Sequence, residues 1–180
     1  MASKKHYLIV SLTLGIIAAC SAGLISVANL VTKDRIVRNE ANKISGGIRE
    51  IFGKNAIISS EFDKNDAGFV NEYKYVTYIY EVADESEKEI GYAFRTTGSN
   101  MYGKISLIVG YQTSGQLLMG FTVVTNEQTY ATTLVDKYIV PVNEHNRELD
   151  DVSCGATYGA KLVRDMVQEA KKAAEELWKE

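Results

Sequence analysis

The feature that most constrains this chain is an uncharged stretch near its start. No Lys, Arg, Asp or Glu occurs from Tyr7 to Val31, and most residues in this stretch are apolar. An apolar helix of about 20 residues is long enough to cross the hydrocarbon core of a membrane. Residues 1–31 are therefore predicted to form one N-terminal transmembrane anchor.

Basic residues lie on both sides of this stretch. Lys4 and Lys5 precede it, and Lys33, Arg35 and Arg38 follow it. Positive charge favours the cytoplasmic side of a span, so the two groups act in opposite directions. The orientation of the span stays open on charge alone.

A cleaved lipoprotein signal is the alternative interpretation of the same stretch. The segment Ile17–Cys20 looks like a lipobox, and Cys20 would then carry lipid. Apolar residues nevertheless continue from Ala22 to Val31, where a lipoprotein normally becomes polar. An uncleaved anchor is favoured, and either interpretation tethers the chain to a membrane.

A juxtamembrane helix is predicted over residues 32–54. Gly46 and Gly47 weaken the helical pattern, and Gly53 closes it. The apolar residues that fall largely on one face are Ile36, Val37, Ile44, Ile48, Ile51 and Phe52.

The remaining residues, 55–180, are predicted to form one α+β domain, an antiparallel sheet with packed helices. Residues Asn55–Asp66 are predicted to form a loop, and Asp84–Lys88 a charged turn. β-Branched and aromatic residues predict four strands. These are Tyr73–Val82, Glu89–Arg95, Ile105–Tyr111 and Gln116–Thr125, the last two joined by a hairpin at Gln112–Gly115.

Two helical segments are expected after the sheet. A short helix reaches Tyr138, Pro141 ends this element, and Val142–Glu148 reads as a loop. An amphipathic helix follows from Ala160 to Glu176. Its apolar stripe consists of Leu162, Val163, Met166, Val167, Ala170, Ala173 and Ala174.

Composition argues against several classes of function. The net charge of −3 and the absence of a basic, aromatic-interleaved patch argue against nucleic-acid binding. Cys20 and Cys154 lie in settings too different for a disulfide, and no Cys/His spacing matches a zinc site. His6 and His145 are isolated, so no metal site is predicted.

A cluster of small residues lies directly ahead of the C-terminal helix. Gly155, Ala156, Gly159 and Ala160 permit tight turns and close approach of another molecule, and Thr157 supplies one hydroxyl. The first amides of a helix have no intrahelical partner, so they can hold an anion. This segment is predicted to be an anion site, with an ordinary Thr N-cap as the simpler alternative.

The residues Asp151-x-x-Cys154-Gly155-Ala156-Thr157 resemble the flavinylation motif of the FMN-binding domain family. The likeness is greatest to the RnfG component of the Rnf electron-transport complex and extends to the related NqrC component of the Nqr complex. The resemblance implies that Thr157 is esterified to the phosphate of FMN. It also implies that Cys154, Gly155, Ala156 and Tyr158 adjoin the cofactor, although Cys154 stands where the family usually has Ser.

Three further segments carry the resemblance. Thr32–Ile36 is similar to the juxtamembrane start of RnfG, and Thr97–Lys104 to a Gly-Tyr-Gly-Gly segment of the family. Tyr102 could stack on a flavin ring, or only cap the sheet. Gln128 and Thr129 occupy the place of a Glu-Thr pair that lies against FMN, or Glu127 does if the register slips by one. The same residues could instead serve as ordinary helix caps.

The resemblance implies a membrane-anchored electron carrier with covalent FMN, held outside the cytoplasm and acting with the other membrane subunits of an Rnf-type complex. Such a complex moves electrons between ferredoxin and nicotinamide nucleotide and couples this to ion transport. This chain would be an electron-transfer subunit rather than an enzyme by itself. No His or metal cluster lies near Thr157 in sequence to activate its hydroxyl. The resemblance therefore implies a separate flavin transferase that uses FAD and a divalent cation.

Two other functions stay open from the sequence. One is a free-standing flavinylated electron shuttle at the cell surface. The other is a non-redox, membrane-tethered module that binds a different ligand in the same groove.

Overall fold

The computed structural model describes residues 4–69, 71–113, 117–144 and 148–178. The chain divides into two compact units, Met1–Asn42 and Lys43–Glu180.

The predicted anchor is helical. Helix α1 spans Lys4–Phe52, and Leu8, Leu14 and Leu24 are among its many exposed apolar side chains. Within the described residues, α1 is the one helix long and apolar enough to cross a membrane. The prediction of an N-terminal membrane-spanning helix is confirmed in this sense.

The predicted juxtamembrane helix is the end of α1 rather than a separate element. The helix continues through Gly46 and Gly47 and ends at Phe52. Gly53 follows with a φ of 106°, and its amide donates to the Arg49 carbonyl at 3.0 Å. Gly53 therefore closes the helix as the sequence predicts.

The second unit is built on one five-stranded antiparallel sheet, which confirms the predicted α+β class. Its strands are in sequence order, β1-β2-β3-β4-β5, so every neighbour is also the next strand along the chain. The strands are β1 Ile57–Asp63, β2 Val76–Ala83, β3 Glu89–Asn100, β4 Gly103–Gln112 and β5 Leu118–Asn126.

Strand β1 corrects the prediction that residues Asn55–Asp66 form a loop. Ser59, Ser60 and Glu61 are exposed, so the segment lacks the apolar alternation that marks a half-buried strand. Pairing with β2 makes it a strand, since Glu61 lies opposite Tyr80 in the antiparallel register. A local pattern cannot report such a partner.

The other strand bounds also shift. Strand β2 begins at Val76 rather than Tyr73, and β3 continues five residues past Arg95 to Asn100. The segment Thr97–Lys104 is therefore mostly strand, with only Met101 and Tyr102 in the turn to β4. Pairing with β4 extends β3 into Gly98, Ser99 and Asn100, whose own strand propensity is low.

Strands β4 and β5 pair antiparallel as the predicted hairpin requires. The Gln112 amide donates to the Leu117 carbonyl at 3.1 Å. Ser114 and Gly115 of the predicted turn, like His145, lie outside the described residues.

The prediction that Pro141 ends the element after β5 is wrong. Helix α2 covers Ala131–Leu134, a π-helical turn covers Val135–Ile139, and helix α3 covers Val140–Glu144 with Pro141 inside it. Proline lacks an amide and clashes with the carbonyl four residues earlier. In the π-helical turn the Val140 amide donates to the Val135 carbonyl, five residues earlier. This wider turn accommodates the ring of Pro141. The predicted loop at Val142–Glu148 accordingly starts only after Glu144.

Helix α4, Thr157–Leu177, covers one face of the sheet and begins three residues before the predicted start at Ala160. Its predicted apolar stripe is confirmed, since all seven of its residues are buried. On the other face, Ile44 and Ile48 from the last turns of α1 pack against Tyr80 and Ile108. Both faces of the sheet are therefore covered within the second unit.

Candidate functional site

A small cavity of about 50 Å³ lies where three segments of the second unit meet. The β3–β4 turn contributes one wall, the loop after β5 with α2 contributes another, and the start of α4 contributes the third. Its lining residues are Tyr102, Gln128, Tyr130, Leu134, Gly155, Ala156, Thr157, Tyr158 and Gly159.

Thr157 is the first residue of α4 and is half-buried in the cavity wall. The N-cap is Ala156, which has no side-chain capping bond. The alternative interpretation of Thr157 as an ordinary N-cap is therefore wrong, because the helix begins one residue earlier than that interpretation requires. The hydroxyl of Thr157 is not needed to cap the helix.

The first turn of α4 has backbone amides without an intrahelical acceptor. The first backbone bond of the helix runs from the Ala160 amide to the Ala156 carbonyl at 3.0 Å. The amides of Thr157, Tyr158 and Gly159 precede that bond, so they belong to the group without an intrahelical acceptor. They lie beside the Thr157 side chain at the positive end of a 21-residue helix.

The loop that leads into α4 is held by several hydrogen bonds. Asp150 accepts from the Gln168 side chain at 3.1 Å, and the buried hydroxyl of Tyr138 donates to the Leu149 carbonyl. Gly155 then adopts a φ of 81°, a conformation that favours glycine. This turn delivers the chain into the first turn of α4.

Gly159 lies in close packing inside the protein. A Cβ at this position would meet Leu134 Cδ2 at 3.0 Å and Gln128 Oε1 at 3.3 Å. The sequence predicted space for another molecule here, but Leu134 and Gln128 use that space. Gly155, on the other side of Thr157 in sequence, is exposed.

Three tyrosine rings border the cavity. The ring centroid of Tyr102 is 5.7 Å from that of Tyr130 and 5.7 Å from that of Tyr158. Tyr130 is 51% exposed and Tyr158 is 60% exposed. The cavity therefore opens onto an aromatic surface, hereafter the tyrosine rim, made of Tyr102, Tyr130 and Tyr158.

Gln128 connects two walls of the cavity. Its side chain is buried, and Nε2 donates to the Gly103 carbonyl at 2.5 Å and to Asn100 Oδ1 at 3.2 Å. The Thr129 amide donates to the Tyr102 carbonyl at 2.8 Å, and its hydroxyl donates to the same carbonyl at 3.2 Å. The loop after β5 is thus fastened to the β3–β4 turn.

The structure brings six of the eight predicted site residues to the cavity wall. These six are Tyr102, Gln128, Gly155, Ala156, Thr157 and Tyr158. Thr129 instead braces the Tyr102 turn, and Cys154 is buried in the main core with 8% exposure. The roles of all eight residues toward a cofactor stay predictions.

Sequence reasoning missed Tyr130 and Leu134, which also line the cavity. Tyr130 lies next to the predicted Gln128-Thr129 pair, so its position could have been noticed. Leu134 gives no such signal, because a buried Leu in a short helix is ordinary core.

One positive charge lies close to Thr157. Lys161 is four residues further along α4, and the Nζ atom is 6.0 Å from the centroid of the Tyr158 ring. Residues four apart share a helix face. Within the part of the chain that the structure describes, there is no group of three His, Cys, Asp or Glu side chains that could hold a metal ion.

Comparison with known proteins bears on the N-terminal part of the chain. No curated protein matches this chain significantly. Residues 1–50 match the family model described as the RnfG N-terminal region. With the apolar helix α1, this match indicates a single-pass membrane protein in electron transport, and it confirms the predicted resemblance to RnfG of the Rnf complex.

Proposed function

We propose that the second unit carries FMN on Thr157 through a phosphodiester and serves as an electron carrier in an Rnf-type complex. The observation that carries this proposal is the place of Thr157, half-buried at the first position of α4 and bordered by the tyrosine rim. A hydroxyl, free amides and aromatic rings meet in one cavity.

The start of α4 is suited to a phosphate ester. The amides of Thr157, Tyr158 and Gly159 can donate to phosphate oxygens, and the helix dipole favours negative charge by typically ~0.3–1 kcal/mol. Lys161 adds a positive charge on the same helix face. The cavity volume of about 50 Å³ is small enough to suit a phosphate group but not a whole flavin, which agrees with binding of the phosphate ester there.

The tyrosine rim is suited to a planar ring outside the cavity. Tyr130 and Tyr158 expose more than half of their surface, and aromatic rings stack in offset or edge-to-face arrangements. The rim thus supports binding of a flat, apolar moiety next to a site for its phosphate.

When bound, FMN supplies the capacity to accept and release electrons, which side chains of this protein lack. The protein's own residues hold, orient and shield the cofactor. The partners would be the other membrane subunits of the complex, which exchanges electrons between ferredoxin and nicotinamide nucleotide.

Attachment of FMN needs a second protein. A Thr hydroxyl is a weak nucleophile without a base or metal to activate it. Among the described residues that line the cavity, none is Asp, Glu or His. A flavin transferase that uses FAD and a divalent cation would supply the activation and the cofactor. The Thr157 oxygen would form the new bond to the FMN phosphorus as the pyrophosphate bond of FAD breaks and AMP leaves.

The experiment compares Thr157→Ala with Thr132→Ala when each is produced together with such a transferase. Thr132 is exposed in α2 and is not part of the cavity wall, so it is a matched control. Wild type and Thr132→Ala should show flavin fluorescence that survives denaturation on a gel, and Thr157→Ala should fold and show none. Flavin retained in denatured Thr157→Ala would refute the proposal.

The flavin domain is proposed to lie outside the cytoplasm, as the resemblance to RnfG implies. A reporter that works only outside the cytoplasm should be active when it is fused after Glu180, and a reporter that works only in the cytoplasm should be inactive there. The reverse pattern would contradict the proposal.

Purification separates the remaining alternatives. Copurifying membrane subunits are expected for an Rnf-type complex. A yellow protein without partners would favour the free-standing electron shuttle, and a colourless one would favour a non-redox ligand-binding module.

A further inference from the structure

Asn100, the last residue of β3, bonds to all three segments that form the cavity. Its Oδ1 accepts from the Tyr102 amide at 2.8 Å and from Gln128 Nε2 at 3.2 Å. Its Nδ2 donates to the Tyr158 carbonyl at 3.2 Å. One half-buried side chain therefore joins the β3–β4 turn, the loop after β5 and the first turn of α4.

This set of bonds requires a short amide. Asn offers an acceptor oxygen and a donor nitrogen on one planar group. Asp of the same size keeps the acceptor and loses the donor, and Ala loses both. The contact made by Nδ2 can therefore be removed alone, whereas the two contacts that share Oδ1 are lost together.

The bond to Tyr158 has a direct consequence for Thr157. The Tyr158 carbonyl belongs to the first turn of α4, which also carries Thr157, and the Tyr158 ring lies 5.7 Å from the Tyr102 ring. The Asn100 side chain bonds to the backbone of both tyrosines. It thereby fixes how far the Thr157 turn lies from the Tyr102 turn.

We propose that Asn100 is a positioning residue, which holds the first turn of α4 at a fixed spacing from the β3–β4 turn so that Thr157 and Tyr102 address the same ligand. It does not line the cavity, so it acts through Tyr102, Gln128 and Tyr158. The part of this proposal that concerns flavin rests on the proposed function, and the part that concerns the spacing does not.

Two variants and one matched control separate the contacts. Asn100→Asp removes the bond to Tyr158, keeps the two bonds to the side-chain oxygen and adds one negative charge, whereas Asn100→Ala removes all three bonds. Asn143→Asp is the control, because Asn143 likewise accepts from a backbone amide and donates to a carbonyl, those of Phe121 at 3.1 and 2.7 Å. It lies beside edge strand β5 and outside the cavity wall.

The first readout is residue-resolved amide exchange in protein without flavin. The Ala160 amide closes the first turn of α4 and should exchange roughly threefold to tenfold faster in both Asn100 variants, the factor that one hydrogen bond of ordinary strength provides. The Tyr102 amide should become faster only in Asn100→Ala. Neither amide should change in Asn143→Asp. A wild-type rate for Ala160 in Asn100→Asp would overturn the positioning role.

The second readout is the rate of flavin attachment by a transferase. Attachment to Asn100→Asp should be slower by a similar factor, while Asn143→Asp matches wild type even if both variants lose the same thermal stability. An unchanged rate in Asn100→Asp would overturn the link between the spacing and attachment. Wild type that takes up no flavin would refute the proposed function, and the exchange result alone would then decide the role of Asn100.

Discussion

Two groups of tyrosines in this protein differ in what surrounds their rings. Tyr80, Tyr111 and Tyr138 are at most 2% exposed and lie in the core. The rim residues Tyr130 and Tyr158 expose more than half of their surface beside the cavity. A large apolar ring left in water contributes little to folding, so we expect the core group to serve stability and we propose that the rim group serves ligand binding.

The hydroxyls of two core tyrosines donate to backbone carbonyls. Tyr111 donates to the Val167 carbonyl at 3.2 Å, and Tyr138 donates to the Leu149 carbonyl. These bonds tie the sheet to α4 and the π-helical turn to the loop that leads to Thr157. The hydroxyl of Tyr138 thus anchors the loop that leads to Thr157, whereas the rim tyrosines border the cavity itself.

The largest effect is expected for Tyr138→Ala compared with Tyr158→Ala. Truncating a fully buried aromatic ring leaves a cavity and should lower the free energy of unfolding by about 3–5 kcal/mol. The exposed Tyr158 should contribute within about 0.5 kcal/mol. Denaturant unfolding of the flavin-free protein measures both changes, and equal losses would abolish the distinction between the two groups.

The core tyrosines should also make the protein sensitive to alkali. Burial raises the pKa of Tyr80 from 10.0 to about 12, and burial likewise raises the pKa of Tyr111. Because these pKa values are higher in the folded than in the unfolded protein, the stabilisation is complete below about pH 10 and is lost as pH rises towards about 12.

The measurement is a titration of tyrosinate absorbance alongside circular dichroism. The absorbance should rise in an early step for exposed tyrosines and in a later step that coincides with unfolding. In Tyr80→Phe the later step should be smaller and unfolding should begin at higher pH. A single step near the ordinary tyrosine pKa with the fold intact would contradict the burial argument.

The smallest effect on flavin incorporation is expected for Cys154→Ser. Cys154 is buried in the core, so exchanging its thiol for a hydroxyl should cost about 1–3 kcal/mol of stability if the hydroxyl finds no partner. Flavin incorporation should be largely intact, because Ser restores the common form of the motif. Complete loss of flavin in a folded variant would instead support a reactive role for the thiol.

Part of this arrangement could be predicted from sequence because it is local. The apolar stretch from Tyr7, the amphipathic helix of Leu162 to Ala174 and the glycine-rich turn before Thr157 each carry their own pattern. Strand β1 and helix α3 carry none, since one depends on pairing with β2 and the other on a π-helical turn that accommodates Pro141.

The candidate site shows the same limit. Its central residue, Thr157, follows from a short motif, and Tyr102 and Gln128 follow from resemblance. Asn100 and Leu134 do not, because their importance arises only when the β3–β4 turn, α2 and the start of α4 meet. Contacts between segments that are distant in sequence produce no pattern within either segment, so they cannot be predicted from the local sequence.

The most direct test of the account is the mass of the peptide that contains Thr157. Protein produced together with a flavin transferase is denatured and digested, and its peptides are measured by mass spectrometry with fragmentation. The account predicts that the Thr157 peptide is heavier by the mass of FMN less one water, with the added mass located on Thr157. An unmodified Thr157 peptide from a yellow preparation would contradict it.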